Sequence, residues 1–237
     1  MITPRDAATV MVVRDHDEAL EVLLLRRHDD LVFAAGAHVF PGGAVDDADR
    51  DPAVGSVCSG LPQPPGPHLA FAVAAIRECF EESGLLLAST TDGDRVRVDD
   101  AGRAERLPLA RKALVAGERT MADVCADEGL ILSTSSLAYA GRWITPEGSP
   151  RRYDTRLFLA AAPADAAAQV ADHDGHETVE SAWTRPADAL EQWRSGTIEL
   201  IKPTVANLSA LDMHPTAVSA LAAAREGRLE VEGAGHG

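Results

Sequence analysis

The sequence predicts an α/β protein in which helices surround a mixed β-sheet and a helical segment interrupts it. Three observations support this prediction. Short apolar runs bounded by turn residues occur in both halves of the chain, which is typical of strands. A segment with a continuous apolar stripe at helical spacing lies between them. The length of 237 residues, 46% of them hydrophobic, suits one domain with an insertion.

The first half of the sheet is predicted from two apolar runs, Ala8 to Val13 and Leu20 to Leu25, which a polar turn separates. A third strand covers 37–40 and ends at Pro41-Gly42-Gly43, which we interpret as a turn. Residues 46–67 are predicted to form a loop, because the prolines near its end prevent a helix from continuing.

The clearest helix is predicted over 68–83. Val73, Ile76 and Phe80 recur at i, i+3 and i+7 and form one apolar face. Gly84 follows at the position where a left-handed residue commonly ends a helix.

The rest of the chain alternates between helices and strands. A helical insertion is expected at about 100–135, and strands are expected at 137–144, 153–161 and 178–184. Helices follow at about 186–227, beginning at Pro186. We expect the whole chain, 1–237, to form a single domain.

Composition excludes several classes of protein. A net charge of −15 without a basic stripe argues against nucleic-acid binding. Three cysteines without CxxC spacing argue against a disulfide framework or a zinc site and fit a reducing compartment. No apolar run is long enough to cross a bilayer, and the N-terminus does not resemble a signal peptide. We therefore expect a cytoplasmic protein with no membrane partner.

Three carboxylates share one face of the helix at 68–83. Glu78, Glu81 and Glu82 stand at i, i+3 and i+4, where like charges destabilise a bare helix. Arg77 can pair with Glu81 at i+4, but one guanidinium cannot neutralise three carboxylates. A divalent cation such as Mg²⁺ could supply the remaining positive charge. A solvated helix surface is the alternative for these residues alone. If the apolar face docks on the sheet, the carboxylates should lie at the rim of a cleft.

The residues around these carboxylates resemble a known motif. Arg77-Glu78-Cys79-Phe80-Glu81-Glu82-Ser83-Gly84-Leu85 resembles the second half of the Nudix box, and Phe40-Pro41-Gly42-Gly43 resembles the turn that precedes it. The resemblance implies a member of the Nudix hydrolase superfamily. It also implies a Nudix-type α/β/α sandwich with a mixed sheet.

The first half of the box departs from the pattern. Six residues after Gly43 comes Asp49 rather than Glu, and 27 residues instead of seven separate Asp49 from Arg77. The box is therefore interrupted at about 46–67. This arrangement resembles a subgroup that includes a mammalian peroxisomal coenzyme A diphosphatase, and the similarity covers about 7–213. The role of the missing Glu could belong to Asp46, Asp47 or Asp49, and the sequence does not decide between them.

The resemblance implies a site for Mg²⁺ or Mn²⁺, with ligands from Glu78, Glu81, Glu82, Gly43 and Glu177. It implies catalytic roles for Arg77, Glu78, Glu81 and Glu177. In simpler members a Glu shortly before a Trp completes the site. Glu177 lies six residues before Trp183 and is the preferred match, and Glu180, three residues before it, is the alternative.

Substrate anions need local positive charge in so acidic a chain. The substrate-binding candidates are Arg26, Arg151, Arg152 and Arg156. The Arg26-Arg27 pair and the helical insertion are expected to shape specificity.

The function that the resemblance implies is metal-dependent hydrolysis of the diphosphate bond of a nucleotide derivative, coenzyme A or acyl-coenzyme A above all. ADP-ribose, NADH and dinucleoside polyphosphates are alternative substrates, since the box fixes the reaction and not the leaving group. A non-catalytic Nudix-like ligand sensor is the rival class, but Glu78, Glu81 and Glu82 are all retained. The expected partner is a small nucleotide, and a homodimer is left open.

Overall fold

The computed structural model describes residues 2–30, 34–62, 69–94, 96, 102–163, 178–229 and 231. Its strands are β1 (Arg5–His16), β2 (Ala19–Arg27), β3 (His38–Val39), β4 (Gly42–Ala44), β5 (Ala88–Thr90), β6 (Leu130–Leu132), β7 (Ala138–Ile144), β8 (Tyr153–Ala161) and β9 (Thr178–Thr184). Its α-helices are α1 (Leu69–Ser83), α2 (Arg103–Val115), α3 (Met121–Glu128), α4 (Pro186–Arg194), α5 (Lys202–Asp212) and α6 (Ala217–Arg225).

Seven strands form one mixed sheet in the order β3-β2-β1-β8-β7, with β9 on β2 and β4 on β1. The long first strand organises this sheet, since it pairs with β2 near its C-terminal end and with β4 near its N-terminal end. Strand β8 runs parallel to it on the other side. Strands β5 and β6 form a separate two-stranded sheet.

Alternation along β1 produces two apolar cores. Val10 and Val12 point to one face and pack with α1, α2 and α3, whereas Met11 and Val13 point to the other face and pack with α4, α5 and α6. Helices therefore cover both faces of the sheet.

The apolar stripe of α1 docks as the sequence predicts, because Val73, Ile76 and Phe80 are all buried. The other face of the helix is covered as well, since α1 also contacts β4 and α2. Glu82 is only 3% exposed. The expectation that all three carboxylates stand at an open rim is therefore wrong for Glu82.

The helical insertion is confirmed as α2 and α3. The start of α3 carries a capping box between Thr120 and Asp123, and Gly129 ends the helix with a φ of 62°. Three strands, β4, β5 and β6, were not predicted, and within 46–62 the chain forms two short 3₁₀ helices at Ala48–Arg50 and Pro52–Val57. No helix in the described residues is long and apolar enough to span a bilayer.

A buried carboxylate joins α2 to α3. Both oxygens of Glu128 accept hydrogen bonds from Arg106, at 2.8 and 2.9 Å, and these bonds lower the pKa of Glu128 below its ordinary value of 4.5. A lowered folded-state pKa means that the pair stabilises the fold above the ordinary pKa and ceases to do so as the pH falls through the lowered one.

Glu128→Gln should therefore reduce the free energy of unfolding at neutral pH by about 1 kcal/mol, because solvent around the half-exposed Arg106 screens the pair. The difference from wild type should shrink as the pH falls below 4.5. Urea unfolding at several pH values measures both, with Glu105→Gln on the exposed side of α2 as control. A difference that stays constant with pH would contradict the assignment.

Candidate active site

Arg77 is the centre of the polar cluster on α1. Its Nε and Nη2 donate to the two oxygens of Asp49, at 3.0 and 2.9 Å. Nη2 also donates to the carbonyl of Ala44, at 2.8 Å, and Nη1 donates to Glu78 and Glu81, at 3.0 Å each. A guanidinium has five N–H donors, and all five have an acceptor here. Arg77 therefore has no donor left for a ligand, and it fixes the positions of Glu78 and Glu81.

Glu78 and Glu81 share one donor nitrogen of Arg77. The i,i+4 pair between Arg77 and Glu81 was predicted and is confirmed. Burial raises the pKa of Glu81; Arg77 opposes this shift, and the charge of Asp49 adds to it. Burial alone would lower the pKa of Arg77, but its carboxylate partners outweigh burial and raise it. The two carboxylates are thus held close together in partly desolvated surroundings.

The glycines of β4 allow α1 to approach the sheet closely. A Cβ on Gly43 would lie 2.5 Å from Oε1 of Glu78, and a Cβ on Gly42 would lie 2.5 Å from the carbonyl of Ala8. The amide of Gly42 donates to Oε2 of Glu82, at 2.9 Å. The sequence Gly42-Gly43 is therefore required by packing, and it places the backbone of Gly43 against the carboxylate of Glu78.

Of the three Asp residues that the sequence left open for the role of the first-half Glu, Asp49 makes the closest contact with Arg77. Its side chain is 1% exposed and makes the bidentate contact with Arg77. Asp46 is exposed and lies 3.6 Å from Nη2 of Arg77, and Asp47 is exposed as well. The backbone amide of Asp46 donates to Asp49, which fixes the turn after β4.

The donor set matches a hard divalent cation, since Glu78 and Glu81 offer carboxylate oxygens beside the backbone of Gly43. In the described part of the chain, no three His, Cys, Asp or Glu side chains are grouped closely enough to hold a metal ion. Glu82 bonds to Gly42, and Arg77 lies between the other two carboxylates. Glu177 lies outside the described residues, so its ligand role stays a prediction.

Most of the arginines expected to bind substrate have protein partners instead. Arg152 donates to the carbonyls of Thr145 and Ile2, and Arg151 is exposed beside it. Arg152 also precedes Arg156 by four residues, about 13 Å along an extended strand. The structure does not bring this pair to the carboxylates.

Arg156 pairs with Asp154, and its guanidinium lies 4.7 Å from the ring centroid of Phe71. On the sheet, Arg156 pairs with Ala8 of β1, and Ala8 pairs in turn with Gly43 of β4. Two strand spacings therefore separate the backbones of Arg156 and Gly43, which is about 10 Å. Arg26 bonds to Asp29, at 2.7 Å. Substrate binding by either residue stays a prediction.

Arg111 and Arg27 contribute positive charge near the end of α1. Sequence reasoning missed Arg111, and it named Arg27 only within the Arg26-Arg27 pair that is expected to shape specificity. Nε of Arg111, on α2, donates to the carbonyl of Glu81 at 2.9 Å, and nothing in the local sequence marks it. Arg27 ends β2 opposite Thr178, whose hydroxyl donates to the carbonyl of Glu82 at 3.1 Å. Here the strand alternation of β2 was an available signal, because Arg27 shares its face with Leu23 and Leu25.

This site can be compared with known proteins. A family model described as the NUDT19 Nudix domain matches residues 59–211. The chain belongs to the NUDT19 Nudix domain family. The predicted superfamily and the interrupted-box subgroup are thereby confirmed.

A solved structure supports the fold. The Nudix hydrolase from Alicyclobacillus acidocaldarius is 31% identical and superimposes with a TM-score of 0.81, over 94% of this chain and 97% of that one. The predicted Nudix-type sandwich with a mixed sheet is therefore confirmed.

Curated relatives carry a more specific name. The chain is 30% identical over 235 residues to the acyl-coenzyme A diphosphatase NUDT19 of Gallus gallus, covering 81% of this chain and 61% of that protein. It is 28% identical over 243 residues to the Homo sapiens protein of the same name, covering 83% and 64%. The chain therefore spans less than two thirds of the length of these relatives.

The close approach of Gly43 to Glu78 gives a steric prediction for this NUDT19-like domain. Gly43→Ala should push the carboxylate of Glu78 aside by roughly 1 Å and reduce kcat by about a hundredfold, since misplacement on this scale has effects of that size. Steady-state hydrolysis of a diphosphate substrate measures the effect. Gly55→Ala is the matched control, because its Cβ would meet nothing within 4 Å. Equal rates for the two variants would contradict the contact.

Proposed function

We propose that this chain is a metal-dependent diphosphatase whose preferred substrate is coenzyme A or acyl-coenzyme A. The single observation that carries the hydrolytic part is the pair of carboxylates, Glu78 and Glu81, held on one guanidinium nitrogen beside the backbone of Gly43. The names of the relatives from Gallus gallus and Homo sapiens support the choice of substrate. A catalytically silent domain would have no use for this arrangement of like charges.

The proposed reaction is hydrolysis of a phosphoanhydride. A water oxygen attacks one phosphorus of the diphosphate, the bridging P–O bond breaks, and one proton is released. From coenzyme A the products are 4'-phosphopantetheine and adenosine 3',5'-bisphosphate. When bound, Mg²⁺ or Mn²⁺ supplies charge neutralisation for the diphosphate and lowers the pKa of the attacking water.

The described residues have separate tasks in this proposal. Glu78, Glu81 and the backbone of Gly43 would hold the cation, with Glu82 beside them. Arg77 fixes the positions of Glu78 and Glu81, and Asp49 fixes Arg77. Glu177 is proposed as a further ligand or base on sequence grounds alone. A cytoplasmic location and a homodimer stay predictions.

A substrate panel in ¹⁸O-labelled water tests the proposal. Coenzyme A, an acyl-coenzyme A, 3'-dephospho-coenzyme A, ADP-ribose, NADH and diadenosine polyphosphates are supplied with Mg²⁺ or Mn²⁺. The expected result is the highest kcat/KM for coenzyme A or its acyl form, with one labelled oxygen in one phosphate product. Preference for ADP-ribose or NADH would overturn the substrate, and no metal-dependent cleavage of any compound would overturn the diphosphatase.

A further inference from the structure

The last residue of β2 carries a buried donor without an acceptor. Arg27 is half-buried, and its main-chain amide donates to the carbonyl of Ala37 at 3.0 Å. Its side-chain Nε is buried, and within the described residues no acceptor lies in hydrogen-bond range of it. Folded proteins leave few buried donors unpaired, because desolvating them without a partner is costly. An exception beside a functional site therefore needs an explanation.

The direction of the strand places this side chain on the catalytic face. Leu23 and Leu25 point into the core that contains α1, and Leu24 points into the opposite core. Because side chains alternate along a strand, Arg27 lies on the same face as α1 and Arg26 on the other. Of these two neighbouring arginines, only Arg27 has its side chain on the face of the sheet that carries Glu78 and Glu81.

Strand pairing brings Arg27 to the C-terminal end of α1. Its register partner on β9 is Thr178, and the hydroxyl of Thr178 donates to the carbonyl of Glu82 at 3.1 Å. Arg26 pairs with Glu180, so β9 has one extra residue, Val179, between the two pairs. Such bulges redirect side chains and are frequent beside active sites.

The negative charge of the site means that a bound diphosphate needs a positively charged residue nearby. The carboxylate cluster repels a diphosphate, and the five donors of Arg77 are all occupied. Arg152 and Arg156 also have acceptors from the protein. Arg27 retains an unpaired Nε–H on the face of the sheet that carries α1, and a guanidinium N–H is a donor well suited to phosphate oxygens.

We propose that Arg27 binds a phosphate oxygen of the substrate's diphosphate through Nε–H and orients that group against Glu78 and Glu81. This inference rests on the proposed function, since it concerns the same site. Arg27 is then a residue that contacts substrate directly, and its unpaired donor is the binding site for the anion.

The test separates binding from turnover. The probe is adenosine 5'-(α,β-methylene)diphosphate, a diphosphate that water cannot cleave at the methylene bridge, and titration calorimetry in Mg²⁺ measures its Kd. Arg27→Met should weaken binding by about ten- to a hundredfold, the range expected for a charge-assisted hydrogen bond. The melting temperature should stay equal or rise, because the variant removes a buried donor that has no partner.

Three further variants sharpen the result. Arg194→Met, on an exposed position at the end of α4, should bind the probe like wild type. Arg27→Lys keeps the charge but loses the Nε donor, and it should recover part of the affinity at most. If Arg26→Met weakens binding and Arg27→Met does not, the assignment to Arg27 is overturned.

The remaining outcomes also decide the matter. Wild-type affinity in Arg27→Met, a lower melting temperature with unchanged affinity, or no binding of the probe to wild type each overturns the inference. If the substrate panel shows hydrolysis and Arg27→Met binds the probe like wild type, the proposed function holds and the inference about Arg27 is refuted. Arg27-dependent binding by a protein that hydrolyses nothing leaves the inference standing and refutes the diphosphatase.

Discussion

Replacing Glu78 or Glu81 with glutamine should reduce kcat by about a thousandfold while leaving the fold intact. Glutamine has nearly the same shape and keeps one oxygen to accept from Nη1 of Arg77, so the contacts at 3.0 Å can persist. It loses the negative charge that a divalent cation requires. A preorganised charge at a reacting centre is worth about a hundred- to a thousandfold by itself, and the loss of a metal ligand adds to it.

Two measurements separate this effect from simple unfolding. Thermal denaturation without metal should give a melting temperature at or above wild type, since one of two neighbouring like charges is gone. Added Mn²⁺ should raise the melting temperature of wild type by mass action and raise that of the variants less. Glu191→Gln, exposed on α4 across the sheet, is the control. A kcat like wild type at saturating Mn²⁺ would remove that residue from the site.

Much of the fold was accessible from sequence because its elements are amphipathic in regular ways. The stripe of Val73, Ile76 and Phe80 predicts both α1 and the face that docks on the sheet. The two apolar runs separated by a polar turn predict β1 and β2, although the observed strands extend further. Strand β4 could not be predicted, because Gly42 and Gly43 have no strand propensity and join the sheet only by pairing with Thr9 and Ala8.

The candidate site was predictable where its residues are close in sequence. Arg77, Glu78 and Glu81 lie within one helical turn or so, and their contacts follow from helix geometry. Asp49 is 28 positions before Arg77, and only the folded loop shows that it, rather than Asp46 or Asp47, is the buried partner. Arg152 shows the reverse case, because nothing in the local sequence reveals that backbone carbonyls already accept hydrogen bonds from its Nε and Nη1.

Asp49→Asn should cost about 3–5 kcal/mol of folding free energy, the range observed when one partner of a buried ion pair is removed. Asp49 and Arg77 have side chains only 1% and 7% exposed, so solvent cannot replace the lost carboxylate. An amide at this position also turns an NH₂ group towards Nε or Nη2, where two donors would face each other. Urea unfolding measures the loss, and Asp47→Asn is the matched control, because Asp47 is exposed only two residues before the buried Asp49.

The same variant should lower kcat because Arg77 holds the carboxylates. Without Asp49 the guanidinium retains Ala44, Glu78 and Glu81 but loses the contacts that set its plane. Arg77→Lys should have a similar effect, since one ammonium group cannot reach five acceptors in a plane. A double-mutant cycle decides whether the two residues act as one unit: the Asp49→Asn, Arg77→Lys variant should then be destabilised by less than the sum of the single changes. Additive losses would show instead that Asp49 serves only the turn after β4, through its bond from the amide of Asp46.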